Sequence, residues 1–240
     1  ELPDGVPPLT APSVTNEALP DISAPMLVSS WNQTQYGYNS QIPIDTASLS
    51  DSSLAVMDHR PSVGCGALSM AQVMRYWSFP AHGYGRHSYS HDGAYPCWRY
   101  GTLSADFAAT NYQWDLMPYQ LNSGSSDEEV EAVATLLSQC GIAVNMMYNS
   151  GCDGGSGSYM YDILTALTRY FHYSATARIA ARMYYSETQW TDALRRELAN
   201  GRPVIYAGSS VEDTAEHTLA GGHAFVLDGY DTNGLFHVNW

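Results

Sequence analysis

The sequence predicts an α+β fold of two lobes, a helical lobe followed by an antiparallel sheet lobe. Three observations predict it. Apolar residues recur at helical spacing in four stretches, 67–77, 130–141, 159–173 and 186–201. Strand-like apolar runs gather at the C-terminal end, at 203–207, 223–229 and 235–240. The turn signal Asp231-Thr-Asn-Gly234 joins the last two runs as a hairpin. Helices first and strands last pack as segregated layers, with a cleft where they meet.

Each element has a local reason. Residues 1–25 carry Pro3, Pro7, Pro8, Pro12, Pro20 and Pro25, and read as an extended linker ahead of a domain over 26–240. From Ala67, the residues Met70, Ala71, Met74 and Trp77 form one stripe of a helix that must stop before Pro80. The segment holding His82, His87 and His91 is rich in Gly, Tyr and Ser and reads as a loop. Three histidines without carboxylates or a fixed scaffold do not make a metal site, so none is expected. Ser126-Asp-Glu-Glu129 is a capping box opening a helix through Val130, Val133, Leu136 and Leu137 to a stop at Gly141. Tyr159 to Tyr173 forms the next helix, with Ile163, Leu164, Leu167 and Phe171 inward. Ser186-Glu-Thr-Gln189 is a second capping box, and Asn200-Gly201 ends its helix. Pro203 to Ala207 is a buried strand, and the polar stretch Ser209 to Gly221 a flap over the cleft. These apolar stripes are core, so no cofactor is expected.

Composition excludes several functions. Ten basic residues, all Arg, stand against 24 acidic ones, a formal charge of −14. Nucleic acid demands basic patches and is not expected as a partner. No run of apolar residues is long enough to span a bilayer. With Cys65 set aside, Cys97, Cys140 and Cys152 remain. Two of these could pair in an oxidising compartment, but their connectivity is unreadable, and no C-x-x-C spacing suggests zinc.

Cys65 carries the chemistry. It lies between Gly64 and Gly66 in the first turn of the 67–77 helix. Unpaired N–H groups and the positive end of the helix dipole favour thiolate there, the reactive form. A base is supplied by His223 in Gly221-Gly-His223-Ala-Phe-Val-Leu-Asp-Gly229, at the start of a strand. The hairpin returns Asn239 towards it. An amide accepting from one ring N–H points the other nitrogen at sulfur.

These residues resemble the streptopain family of bacterial cysteine peptidases, which has a papain-like fold. The resemblance runs in order through Trp31-Asn-Gln33 with Tyr38-Asn39, Gly64-Cys65 to Tyr76 and Pro80, Gly222-His-Ala-Phe-Val-Leu-Asp-Gly229, and His237-Val-Asn-Trp240. Gly66 and Leu68 depart from the Val and Thr usual in the family, a change expected to alter helix entry more than chemistry. The family continues through further strands beyond the position of Trp240, so the sheet is expected to lack its C-terminal strands.

The resemblance implies Cys65 as nucleophile, His223 as general base and then acid, and Asn239 as its orienting residue. Gln33 would donate to the oxyanion with the Cys65 backbone N–H. Trp240 would shield the histidine–asparagine pair or join the oxyanion site. Ser158, in the glycine-rich stretch 150–158, and Gly222 would bind an extended peptide with a hydrophobic residue two positions before the scissile bond. The implied protein is a secreted bacterial endopeptidase acting on protein or peptide substrates without a cofactor, and an inhibitory pro-segment precedes the domain in this family. The alternatives are an amidase or acyl-transferase on the same fold, and a non-catalytic surface binding protein displaying 18 Tyr and 6 Trp.

Overall fold

The computed structural model describes residues 19–45, 59–92, 99–148, 155–211 and 219–240. In chain order the elements are α1 (Cys65–Trp77), β1 (Arg86–Asp92), β2 (Arg99–Asp106), α2 (Asp127–Ala143), α3 (Met160–Arg169), α4 (Glu187–Ala199), β3 (Val204–Val211), β4 (Leu219–Tyr230) and β5 (Phe236–Asn239). The mixed helices and antiparallel sheet are the α+β architecture expected. Among the described residues no helix is long and apolar enough to cross a membrane.

Two apolar clusters define the two lobes. The larger surrounds α1, with Met70, Met74, Leu136, Leu137, Ile163 and Phe171 fully or almost fully buried. The smaller lies where Leu194 and Leu198 of α4 meet Leu227 and Tyr230 of β4. β4 is the central strand of its sheet, antiparallel to β3 on one side and β5 on the other. α1 packs against both β4 and β3, which joins the lobes.

Local signals fixed several boundaries as expected. Ser126 accepts from the Glu129 N–H while the Glu129 carboxylate accepts from the Ser126 N–H, and Ser186 and Gln189 repeat the arrangement at α4. α1 stops at Trp77 and Ser78 takes the left-handed cap conformation. α4 gives way at Asn200, and Gly201 has φ +70°.

Four expectations need correction. From Arg86 onward the His82–His91 segment is not a loop: β1 and β2 pair as an antiparallel hairpin, while His82 lies outside it. His87, Tyr89 and His91 alternate with the more exposed Arg86, Ser88, Ser90 and Asp92, and this period of two puts a row of rings against the helical lobe. α2 does not stop at Gly141 but runs on to Ala143. The glycine is there because a Cβ would overlap the hydroxyl of Tyr148. α3 is shorter than expected, ending at Arg169 although Tyr170 and Phe171 stay buried beyond it. The polar stretch Ser209 to Gly221 is strand at both described ends, 209–211 continuing β3 and 219–221 opening β4 as its antiparallel partner; 212–218 lie outside the described residues.

The stretch expected as a linker is fastened at its C-terminal end. Ser23 and Tyr230 exchange both backbone hydrogen bonds, at 3.0 and 2.8 Å. The Tyr230 hydroxyl donates to the Pro20 carbonyl at 2.8 Å, and the Arg195 guanidinium stacks over the Tyr230 ring.

Candidate active site

Cys65 is the first residue of α1, and its N–H is among those a helix leaves without an internal partner. No acidic residue lies in that first turn to oppose a thiolate. The approach is shaped by Gly64, whose φ of +89° and ψ of 137° suit only a residue without Cβ. A Cβ there would also lie 2.5 Å from Met146 Sδ and 3.2 Å from the Ser156 carbonyl oxygen. Cys65 is half-buried, and its thiol makes no hydrogen bond with the described residues.

Two segments are tied to this entry. The Val63 N–H donates to the Gln33 carbonyl at 3.1 Å, which brings Gln33 beside the chain entering α1. The Gln33 side-chain amide bonds none of the described residues. On the other side, Ser156 Oγ donates to the Ser62 carbonyl at 2.6 Å, and Met147 and Gly157 exchange backbone hydrogen bonds. These contacts set Ser158 against Gly66, where a Cβ would overlap its hydroxyl. That oxygen is buried and has no hydrogen-bond partner among the described residues.

His223 is half-buried on β4, opposite Gly208 of β3. Its ring stacks with that of Trp240, centroids 5.5 Å apart, and Trp240 also contacts Phe225 at 4.9 Å. Asn239 pairs in register with Val226 and points its amide elsewhere: Nδ2 donates to the Ser29 carbonyl at 2.8 Å. Among the described residues no hydrogen bond joins His223 to Asn239 or to Cys65. Gly222 is exposed, with open space where a side chain would be.

The structure thus sets Gln33, Cys65 and Ser158 around the start of α1, and His223 on the strand packed against that helix, with Trp240, just past β5, stacked on its ring. Sequence reasoning did not single out Gln72, Asp228 or Ser29, which link these groups. Cys97 and Cys152 lie outside the described residues. Cys140 is a free, fully buried thiol beside Met74 Sδ at 3.7 Å, and burial pushes it well above the usual thiol range. Among the described residues no group of three or more His, Cys, Asp or Glu is arranged to hold a metal ion.

Comparison with known proteins places the chain in a family and a fold. Residues 31–240 match the model of the Peptidase C10 family. The chain is 37% identical over 177 residues to the thiol protease/hemagglutinin PrtT of Porphyromonas gingivalis, covering 74% of this chain and 19% of that protein. It is 29% identical over 180 residues to streptopain of Streptococcus pyogenes, covering 75% of this chain and 42% of that protein. It therefore spans less than half the length of either relative. Among solved structures, active interpain A of Prevotella intermedia superposes with a TM-score of 0.79 at 34% identity, covering 92% of this chain and 82% of that one. A prointerpain A fragment from the same organism gives a TM-score of 0.76 at 32% identity, covering 92% and 62%.

Proposed function

Because the chain belongs to the Peptidase C10 family, with a papain-like cysteine protease fold, we propose that it is a secreted bacterial endopeptidase that hydrolyses peptide bonds through a thioester at Cys65. The observation that carries the proposal is Cys65 at the head of α1, the helix packed on the strand that bears His223.

Cys65 thiolate attacks the scissile carbonyl, and the oxygen that becomes negative is held by the Cys65 N–H and the side-chain amide of Gln33. His223 protonates the departing amine, and the thioester forms as the C–N bond breaks. His223 then takes a proton from water, which attacks the thioester and releases the acid and the thiol. Substrate binding would draw the thiol and imidazole together, because such contacts often tighten only in the enzyme–substrate complex. Trp240 covers one face of the imidazole. Asn239 has its Nδ2 committed to Ser29, which leaves Oδ1 as the atom to accept from the ring. The backbones of Ser158 and Gly222 would pair with an extended substrate, a hydrophobic side chain filling the position two before the scissile bond.

The pro-form among the solved relatives supports an inhibitory pro-segment as a partner, and the likeness to streptopain supports action outside the cell. A thiol-directed epoxide tests the reading directly. Stoichiometric labelling confined to Cys65, with loss of casein hydrolysis in step, is expected. Labelling spread evenly over the cysteines, or absent, would instead indicate a binding protein. Cys65→Ala should fold normally and hydrolyse nothing measurable; retained hydrolysis would remove the proposal.

A further inference from the structure

Two buried side chains that the proposed chemistry leaves idle, Asp228 and Gln72, converge on the segment leading to Gln33. β3 begins at Val204, opposite Leu227, so it offers no partner to residues 228–230 of β4. The N-terminal arm takes that edge. Gly229 has no side chain where the arm crosses; a Cβ would lie 2.7 Å from the Ser23 carbonyl oxygen and 3.0 Å from Pro25 N.

Asp228 is 1% exposed. Its Oδ2 accepts from the N–H groups of Met26 and Leu27 at 3.0 and 2.9 Å, and its Oδ1 bonds His237 Nδ1 at 2.6 Å. A carboxylate buried with such donors holds them in fixed geometry. It therefore ties the arm to both β4 and β5, since His237 lies two residues before Asn239. Gln72, on α1 and also 1% exposed, accepts at Oε1 from the Trp31 N–H at 3.2 Å and the Ser29 hydroxyl at 3.3 Å. Between these two anchors the Ser29 carbonyl accepts from Asn239 Nδ2.

We infer that Asp228 and Gln72 are positioning residues, setting the helix that carries Cys65 against the strands that carry His223 and Asn239 through the segment Met26–Trp31; the inference rests on the peptidase reading above. The segment is held by the sheet at one end, by α1 at the other, and by Asn239 in the middle. Gln33 follows two residues later, so the same anchors place the oxyanion donor.

The test compares wild type with Asp228→Asn and Gln72→Met, each scored for fold by circular dichroism. An amide at 228 cannot accept on both sides, and methionine at 72 keeps the volume but loses the acceptor. The measurements are kcat and KM on a peptide, and the rate constant for alkylation of Cys65 by iodoacetamide. Displacements of about 1 Å cost on the order of a hundredfold in rate, so we expect kcat to fall about tenfold or more with little change in KM. The alkylation rate constant should fall with it as the thiolate loses its imidazole. A rate constant does not scale with the folded fraction, so simple loss of folded protein leaves it unchanged. Folded variants with both quantities within about twofold of an active wild type would overturn the inference, and if Asp228→Asn does not fold, Gln72→Met decides alone. A wild type that neither hydrolyses peptide nor alkylates rapidly at Cys65 sinks the peptidase reading, and this role with it.

Discussion

The Trp240 indole lies over the His223 imidazole with planes 27° from parallel, although Trp240 is 66% exposed. An aromatic left so open adds little to the core. Its contact with the histidine and with Phe225 is the interaction that matters.

Trp240→Ala should therefore lower kcat/KM while leaving the urea midpoint almost unchanged. Ring pairs contribute about 0.5–1.5 kcal/mol, equivalent to roughly two- to tenfold in rate. Trp240→Phe should recover most of the loss. Unaltered kcat/KM in the alanine variant would show that the stack does not serve the reaction.

Gly64→Ala should destabilise the fold by about 2–5 kcal/mol, through the strain of its backbone angles and the overlap with Met146. Equilibrium urea unfolding measures this. A midpoint equal to that of wild type would mean that the entry to α1 relaxes easily.

The two described free thiols should part company in the native state. Cys65 is accessible at the head of a helix, whereas Cys140 is buried and its thiolate disfavoured. Peptide mapping after iodoacetamide at pH 8 should find Cys65 modified, and Cys140 only once urea is added. Native modification of Cys140 would contradict its burial against Met74.

Burial lowers the pKa of His91, which lies among Tyr89, Tyr100 and Tyr148. The folded chain refuses a proton that the unfolded chain accepts, so stability rises with pH. The His91 contribution is present above the ordinary imidazole value of about 6.5 and is lost as pH falls below it towards the lower folded value. Urea midpoints at pH 7 and pH 5 should fall less steeply in His91→Phe than in wild type. Equal slopes would remove His91 as the source.

What the sequence revealed followed the range of the interaction. The two capping boxes, the stop after Trp77 and the Asp231–Gly234 turn are written in adjacent residues, and all stand where expected. The β1–β2 hairpin was obscured because its rings and serines share the composition of a loop; alternation at His87, Tyr89 and His91 was the overlooked signal. Gly141 looked like a helix stop because its reason, Tyr148, comes close only after folding. The bonds from Asp228 to Met26 and Leu27 span almost the whole chain, and no local pattern announces them.

Seating the arm on β4 also bears on solubility. Residues 228–230 are β-strand backbone that β3 does not reach, and Ser23 and Met26 occupy their hydrogen-bonding groups. Strip that cover away and the sheet has an open border able to recruit an extended segment from another molecule. Proteolytic nicking between Ser23 and Leu27 would thus leave a chain more prone to clump.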